Sequence, residues 1–215
     1  MNPDVPARVV YAVIPVGALD GAKSRLGAVL DAEERHDLAL RLADATIRSA
    51  VATPGIAETL VITPDDKVRA VAMAAGARPV LQRSRGLNAG LREARAEAMA
   101  GGATAMLILP TDLPRVSPAA LGVLLETLGD GDGAGAGPLV ALVPDRHGRG
   151  TNALLLAPPD VIDVCFGGDS HAAHAAAAAD AGARFIDLGG PLTYDLDTPD
   201  DLLLDQAQAA ESVGG

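Results

Sequence analysis

Two cations stand close together in the loop that follows the first hydrophobic run of the chain. In the stretch VIPVGALDGAKSRL (13–26), glycines relax the loop, and Lys23 and Arg25 come two residues apart. Such a pair suits a polyphosphate, and the alternative is a solvated loop with incidental charge. The loop is not a Walker A motif, because one residue separates Gly21 from Lys23. It is not a dinucleotide-binding motif either, since Gly17 and Gly21 do not complete the required set of glycines.

Aspartates follow two other hydrophobic segments. LPTDLP (109–114) places Asp112 between two prolines directly after such a run. An aspartate held there commonly binds Mg²⁺ on a nucleotide phosphate, and the alternative is a turn aspartate that bonds its own backbone. TYDLDTPDDLL (193–203) places Asp195 and Asp197 on the same side of an extended segment. Two carboxylates beside a third could make a magnesium site.

A glycine pair leads into an alanine-rich helix in FGGDSHAAH (166–174). Gly167 opens the pair, and Asp169 or Ser170 is the predicted N-cap. The exposed N–H groups and the dipole of such a helix end favour an anion. The alternative is an ordinary capped helix without a ligand.

Other polar residues receive structural interpretations. His171 and His174 lie three residues apart without a third ligand in spacing, so we interpret them as surface histidines rather than a zinc pair. Asn88 lies at a predicted loop-to-helix junction, where it could cap the helix or contact a base or ribose. Asp200 and Asp201 are interpreted as charges at the positive end of the last helix.

Composition excludes several classes of protein. The net charge is −11 and no basic block occurs, which argues against a nucleic-acid partner. Two Tyr, two Phe and no Trp leave few rings for stacking bases. Cys165 is the only cysteine, so an intramolecular disulfide and a thiolate zinc site are excluded. Because no signal-peptide pattern and no apolar run of about 18–20 residues occur, we expect a soluble cytoplasmic protein.

Short aliphatic runs alternate with Ala-rich amphipathic segments along the whole chain. This alternation predicts a largely parallel sheet covered by helices on both faces, in a single domain with a core over 8–205 and a tail over 206–215. Residues 139–157 predict an inserted antiparallel hairpin, and 129–138 a glycine-rich loop without chemistry. Ligands of such sheets bind at the carboxyl ends of the strands. The predicted strands lie near 8–14, 58–63, 78–82, 105–109, 139–143, 151–157 and 184–188, and the helices near 32–51, 65–75, 87–100, 117–128, 171–181 and 198–211.

These pieces in this order resemble the MobA-like nucleotidyltransferase superfamily. Within it they resemble the guanylyltransferase family of coenzyme F420 biosynthesis, over about residues 9–205. The resemblance rests on IPVGALDGAKSRL, LVITPD, GLNAGLREA, LILPTDLP, GRGTNALLL, FGGDSHAAH and YDLDTPDDL, of which GTNALLL together with FGGDS is the most specific. It implies a Rossmann-like three-layer α/β/α fold.

The resemblance also implies a set of site residues. It assigns Gly17, Lys23, Arg25 and Asn88 to GTP, Asp112, Asp195 and Asp197 to Mg²⁺, and Thr151, Gly167 and Ser170 to a small phosphorylated carboxylic acid; Lys23, Arg25 and Asp112 would be catalytic. The residue types agree with the last group, because a hydroxyl, a glycine N–H and an N-cap serine form a compact anion cradle.

The implied reaction is attack of an acceptor phosphate on the α-phosphorus of GTP, with loss of pyrophosphate. Fifteen arginines against two lysines, with abundant Ala and Gly, suggest a GC-rich bacterial genome, for which the resemblance implies phosphoenolpyruvate. The acceptors 2-phospho-L-lactate and 3-phosphoglycerate stay open. So do a molybdenum-cofactor or sugar-phosphate nucleotidyltransferase, a regulatory nucleotide-binding module, and assembly as a homodimer.

Overall fold

The alternating pattern forms the expected α/β architecture. The computed structural model describes residues 8–19, 21–129 and 137–205. Most of the predicted glycine-rich loop, the predicted tail and the end of the last predicted helix lie outside these residues. The strands are β1 (Val10–Pro15), β2 (Ile56–Thr63), β3 (Arg78–Leu81), β4 (Ala105–Ile108), β5 (Leu139–Pro144), β6 (Thr151–Ala157) and β7 (Arg184–Asp187). The helices are α1 (Ala32–Ala52), α2 (Asp66–Ala74), α3 (Leu87–Ala100), α4 (Pro118–Glu126) and α5 (Ser170–Asp180), followed by a helical segment over 199–205.

The seven strands form one sheet in the order β3-β2-β1-β4-β6-β5-β7. The strand β6 runs antiparallel to both of its neighbours, β4 and β5, while β5 and β7 are parallel. The other pairs are parallel as well. The predicted parallel sheet with an antiparallel hairpin is therefore confirmed.

Both faces of the sheet are covered, because successive side chains of a strand point to opposite faces. In β1, Ala12 and Ile14 pack with α1, α2 and α4, while Tyr11 and Val13 pack with α3 and α5. Each fully buried Leu or Ile in these two layers contributes roughly 1.5–3 kcal/mol relative to an exposed one. The three-layer prediction is confirmed.

The start of α1 is determined by residues that are close together in the chain. The carboxylate of Asp31 accepts the N–H of Glu34, and the carboxylate of Glu34 accepts the N–H of Asp31, which is the predicted capping box of α1. In the described parts of the chain, no helix is long and apolar enough to cross a membrane.

The direction of β6 decides where its first residue lies. The carboxyl ends of β1 and β4 share one edge of the sheet, and the antiparallel β6 begins at that edge. Thr151 therefore lies on the same side as the loop that carries Asp112. This is the edge at which ligands bind in open α/β sheets.

Candidate active site

The loop after β1 is tied to the segment before the last helix. Lys23 Nζ donates to the carbonyl of Leu196 at 2.7 Å and to Asp197 Oδ1 at 2.9 Å. Arg25 Nη1 lies 3.5 Å from Asp197 Oδ2. Lys23 takes a left-handed backbone conformation with φ 50°, which costs roughly 1–2 kcal/mol for a residue with a side chain. The two predicted cations are thus close together, and both face Asp197.

Two other carboxylates at this edge, those of Asp112 and Asp195, have raised pKa values. The N–H of Leu196 donates to the backbone carbonyl of Asp112 at 2.8 Å, which joins the loop after β4 to the 195–197 segment. Burial raises the pKa of Asp112; Lys23 opposes that rise, and the charges of Asp197 and Asp195 add to it. Burial also raises the pKa of Asp195, whose Oδ1 is buried without a hydrogen-bond partner. This edge therefore holds negative charge that the described side chains do not fully compensate.

The donor set fits a magnesium ion through a pair of carboxylates. Across the described residues, no group of three or more His, Cys, Asp or Glu side chains is arranged to hold a metal ion. The carboxylate of Asp197 faces Lys23 and Arg25. Mg²⁺ commonly takes only one or two carboxylates together with waters and substrate phosphates, which suits Asp112 and Asp195. Mg²⁺ itself, and Asp197 as its ligand, stay predictions.

A pocket of about 630 Å³ opens at this edge, within the usual size range for small-ligand sites. Its wall comes from the loop after β4, the β5–β6 turn, the start of β6, the β6–α5 connection and the 195–201 segment. The predicted site residues that line it are Arg25, Asp112, Thr151, Gly167, Ser170, Asp195 and Asp197. Gly17, Lys23 and Asn88 do not line it.

The predicted anion cradle forms one wall of this pocket. Ser170 is the first residue of α5, and its Oγ donates to Thr151 Oγ1 at 3.0 Å. Both hydroxyl residues are buried, at 2% and 7% exposure. Gly167 has φ +141°, a conformation that side chains rarely adopt. Asp169 is the N-cap of α5, as one of the two alternatives predicted, and its carboxylate accepts from Arg149 Nε at 2.9 Å.

Asn88 does not cap its helix, because the N-cap of α3 is Gly86. Its Nδ2 donates to the carbonyl of Phe166 at 2.9 Å, and its Oδ1 accepts the N–H of Phe166 at 2.8 Å. The amide thus holds the backbone that leads into Gly167. A contact between Asn88 and guanosine stays a prediction.

The interpretation of both histidines as surface residues is wrong for His174. Its side chain is fully buried beneath α5, because i, i+3 spacing on an alanine-rich helix does not reveal which face packs against the sheet. His171 is partly exposed and pairs through Nε2 with Asp187 Oδ2 at 2.7 Å.

Sequence reasoning missed Arg146, in the β5–β6 turn. Its guanidinium pairs with the fully buried Asp201 and lies 5.5 Å from the ring centroid of Tyr194. Asp201 also accepts the N–H groups of Asp197 and Thr198 at 2.9 and 2.7 Å, which confirms it as a capping charge. The two arginines within DRHGRG, in the turn of the predicted hairpin, were the available signal.

Solved structures share this arrangement of strands and helices. A putative nucleotide-diphospho-sugar transferase from Desulfovibrio desulfuricans superposes with TM-score 0.71 at 17% identity, over 90% of this chain and 84% of that one. A CMP:2-keto-3-deoxy-manno-octonic acid synthetase gives TM-score 0.61 at 17% identity, over 95% and 99% of the two chains. The strands and helices of this chain therefore place it in the fold class of the α/β nucleotidyltransferases.

Within that class, the chain belongs to the family described as "Guanylyl transferase CofC like", which matches residues 10–204. The phosphoenolpyruvate guanylyltransferase of Rubrobacter xylanophilus is 43% identical over 194 residues, covering 90% of this chain and 91% of the relative. The protein of the same name from Sphaerobacter thermophilus is 40% identical over 192 residues, covering 89% of each chain. The family assignment made from the sequence is confirmed.

Proposed function

We propose that this enzyme transfers the guanylyl group of GTP to the phosphate of phosphoenolpyruvate. The products are enolpyruvoyl-2-diphospho-5′-guanosine and pyrophosphate, and the reaction serves the biosynthesis of coenzyme F420. The observation that carries the proposal is the single pocket in which Asp112 and Asp195 share walls with the Thr151–Ser170 cradle. The names of the 40–43% identical relatives support guanylyl transfer to this acceptor.

The acceptor end of the pocket would bind the phospho-acid. Thr151 and Ser170 offer hydroxyl groups, and Gly167 offers backbone without a side chain in the way. Arg149, on the same wall, adds positive charge near the helix start. These groups would hold an acceptor phosphate so that one of its oxygens faces the α-phosphorus of GTP.

The nucleotide end would lie toward the cations of the β1 loop. Arg25 lines the pocket and is largely exposed, so its guanidinium is available to a triphosphate. Lys23 supports this end through Asp197 and Leu196. Asp112 and Asp195 would hold Mg²⁺, which when bound neutralises charge on the phosphate oxygens.

The bond changes need no protein nucleophile. An oxygen of the acceptor phosphate, already ionised at neutral pH, forms a bond to the α-phosphorus. The bond from that phosphorus to the α–β bridging oxygen breaks, and the bridging oxygen leaves with pyrophosphate. The chain contributes positioning and charge stabilisation, as in other phosphoryl-transfer sites.

Pyrophosphate release tests the proposal. The purified enzyme with Mg²⁺ is given GTP, ATP, CTP or UTP in combination with phosphoenolpyruvate, 2-phospho-L-lactate, 3-phosphoglycerate or a sugar phosphate. We expect GTP with phosphoenolpyruvate to give the highest kcat/KM. Preference for 2-phospho-L-lactate would replace the acceptor, and turnover of a sugar phosphate would overturn the proposal. GTP binding without turnover of any acceptor would indicate a regulatory module. The cytoplasmic location and the homodimer stay predictions.

A further inference from the structure

A buried hydrogen-bond chain runs behind the acceptor end of the pocket. The backbone N–H of Cys165 donates to His174 Nε2 at 3.1 Å. A nitrogen that accepts this hydrogen bond carries no proton, so a neutral His174 ring must carry its proton on Nδ1. Burial supports the neutral ring, because it lowers the pKa of His174 to about 4, with a smaller contribution from His171.

The protonation state of the His174 ring determines whether the hydroxyl groups of Thr151 and Ser170 donate or accept hydrogen bonds. His174 Nδ1 lies 3.1 Å from Thr151 Oγ1, so its proton is donated to that oxygen. Ser170 Oγ lies 3.0 Å from the same oxygen. Two hydroxyl hydrogens are then present, and the contact between Thr151 and Ser170 uses only one. With Ser170 donating to Thr151, the hydrogen of Thr151 remains for a ligand.

We propose that His174 is a positioning residue for the acceptor: by donating to Thr151, it makes the Thr151–Ser170 pair present a hydroxyl hydrogen, rather than a lone pair, to the pocket. An ionised phosphate accepts hydrogen bonds and donates none, so this polarity favours the phospho-acid. The inference rests on the proposed function for the identity of the acceptor. It extends the site to a buried residue that does not line the pocket.

Two isosteric variants distinguish this role from a bracing role, in which His174 only holds the backbone of Cys165 in place. His174→Asn places an amide N–H near the position of Nδ1, and His174→Gln places an amide oxygen near that of Nε2. We expect His174→Gln to raise the KM for phosphoenolpyruvate about tenfold, because the hydroxyl pair loses its fixed donor. The kcat and the KM for GTP should stay within about threefold of wild type. His174→Asn should restore the KM for phosphoenolpyruvate to within about threefold.

The opposite ranking, with His174→Gln normal and His174→Asn impaired, would overturn the proposal in favour of a bracing role.

A double-mutant cycle adds a second condition. In a Thr151→Val background, His174→Gln should raise the KM no further, because the oxygen through which it acts is gone. Additive effects of the two substitutions would contradict the proposal.

Proton-detected ¹⁵N NMR of the imidazole rings gives a readout that needs no substrate. The chain has four histidines, and His174→Asn assigns the signal of this ring. At pH 7 we expect the neutral Nδ1–H tautomer, and a proton on Nε2 would overturn the inference. If the wild-type enzyme uses another phospho-acid, the proposed function fails, while the NMR result and the same KM series with that acid still decide the role of His174.

Discussion

At the scale of single residues, the three carboxylates of the site differ in the groups that surround them. Asp197 faces two cations, while Asp112 and Asp195 have pKa values raised first of all by burial. Asp195 Oδ1 is buried without a partner. Burying a carboxylate oxygen without a hydrogen-bond partner lowers the stability of a fold, and this cost is typical of groups that serve binding. Asp112 and Asp195 are therefore the residues at which function and stability should separate.

We expect Asp112→Asn and Asp195→Asn each to lower turnover at least about a hundredfold, since each removes an anionic group from the reaction centre. The melting temperature without divalent ions should equal or exceed that of the wild type, because one buried charge has gone. Pyrophosphate release and thermal unfolding in chelator measure the two effects. Asp180→Asn, at the exposed far end of α5, is the matched control. Wild-type turnover in both site variants would contradict the carboxylate assignment.

The two lysines of the chain provide a second matched pair. Lys23 has a side chain only 12% exposed and bonds Leu196 and Asp197, whereas Lys67 is an exposed residue in α2. Lys23→Ala should weaken GTP binding about tenfold, because Asp197 would then repel the triphosphate. Lys67→Ala should leave it unchanged. Titration calorimetry with GTP gives both dissociation constants, and equal affinity in the two variants would exclude Lys23 from the nucleotide site.

At the scale of elements, the antiparallel strand β6 is what completes the pocket. It brings Thr151 to the edge where β1 and β4 end, and the turn before it carries Arg146 and Arg149. Arg146 pairs with the fully buried Asp201 in the first turn of the terminal helical segment. This pair links the β5–β6 hairpin to the segment that contains Asp195 and Asp197.

We expect Arg146→Ala to lower the free energy of unfolding by about 2 kcal/mol, since it leaves the buried carboxylate of Asp201 without its counter-ion. Arg149→Ala, from the same turn, should have little effect, because its pair with Asp169 is exposed on both sides. Urea unfolding of the two variants tests the difference. Equal stabilities would show that the hairpin is not held by the Arg146–Asp201 pair.

At the scale of the whole molecule, the buried His174 links stability to pH. Its folded-state pKa of about 4 lies below the value of roughly 6.5 in an unfolded chain. Above pH 6.5 both states hold a neutral ring. As the pH falls from 6.5 to 4, the unfolded chain binds a proton that the folded protein excludes, so the folded state loses stability.

The contribution amounts to roughly 3 kcal/mol between pH 6.5 and 4. Urea unfolding across that range should show a steeper loss of stability for the wild type than for His174→Gln. The difference between the two proteins isolates this ring from the aspartates and glutamates that titrate in the same range. Parallel curves for the two proteins would contradict a buried neutral imidazole.

The sequence by itself determined the order of elements and the positions of the strand-end aspartates. These depend on local signals: the alternation of apolar runs, the Asp31–Glu34 capping box, and the prolines around Asp112. Family motifs then identified the guanylyltransferase class. Each of these signals lies within a short window of the chain, where spacing alone reports which residues share a face.

Only the tertiary structure decided which side chains meet. Lys23 and Asp197 are 174 residues apart, and the Asn88 amide bonds a backbone 78 residues away. His174 lies 23 residues from Thr151, and packing beneath α5 fully buries a histidine interpreted from the sequence as a surface residue. No periodicity encodes such pairs, because they depend on how the antiparallel β6 and the helices dock on the sheet. The sequence therefore named both Lys23 and Asp197 as site residues, but only the fold showed that they pair with each other.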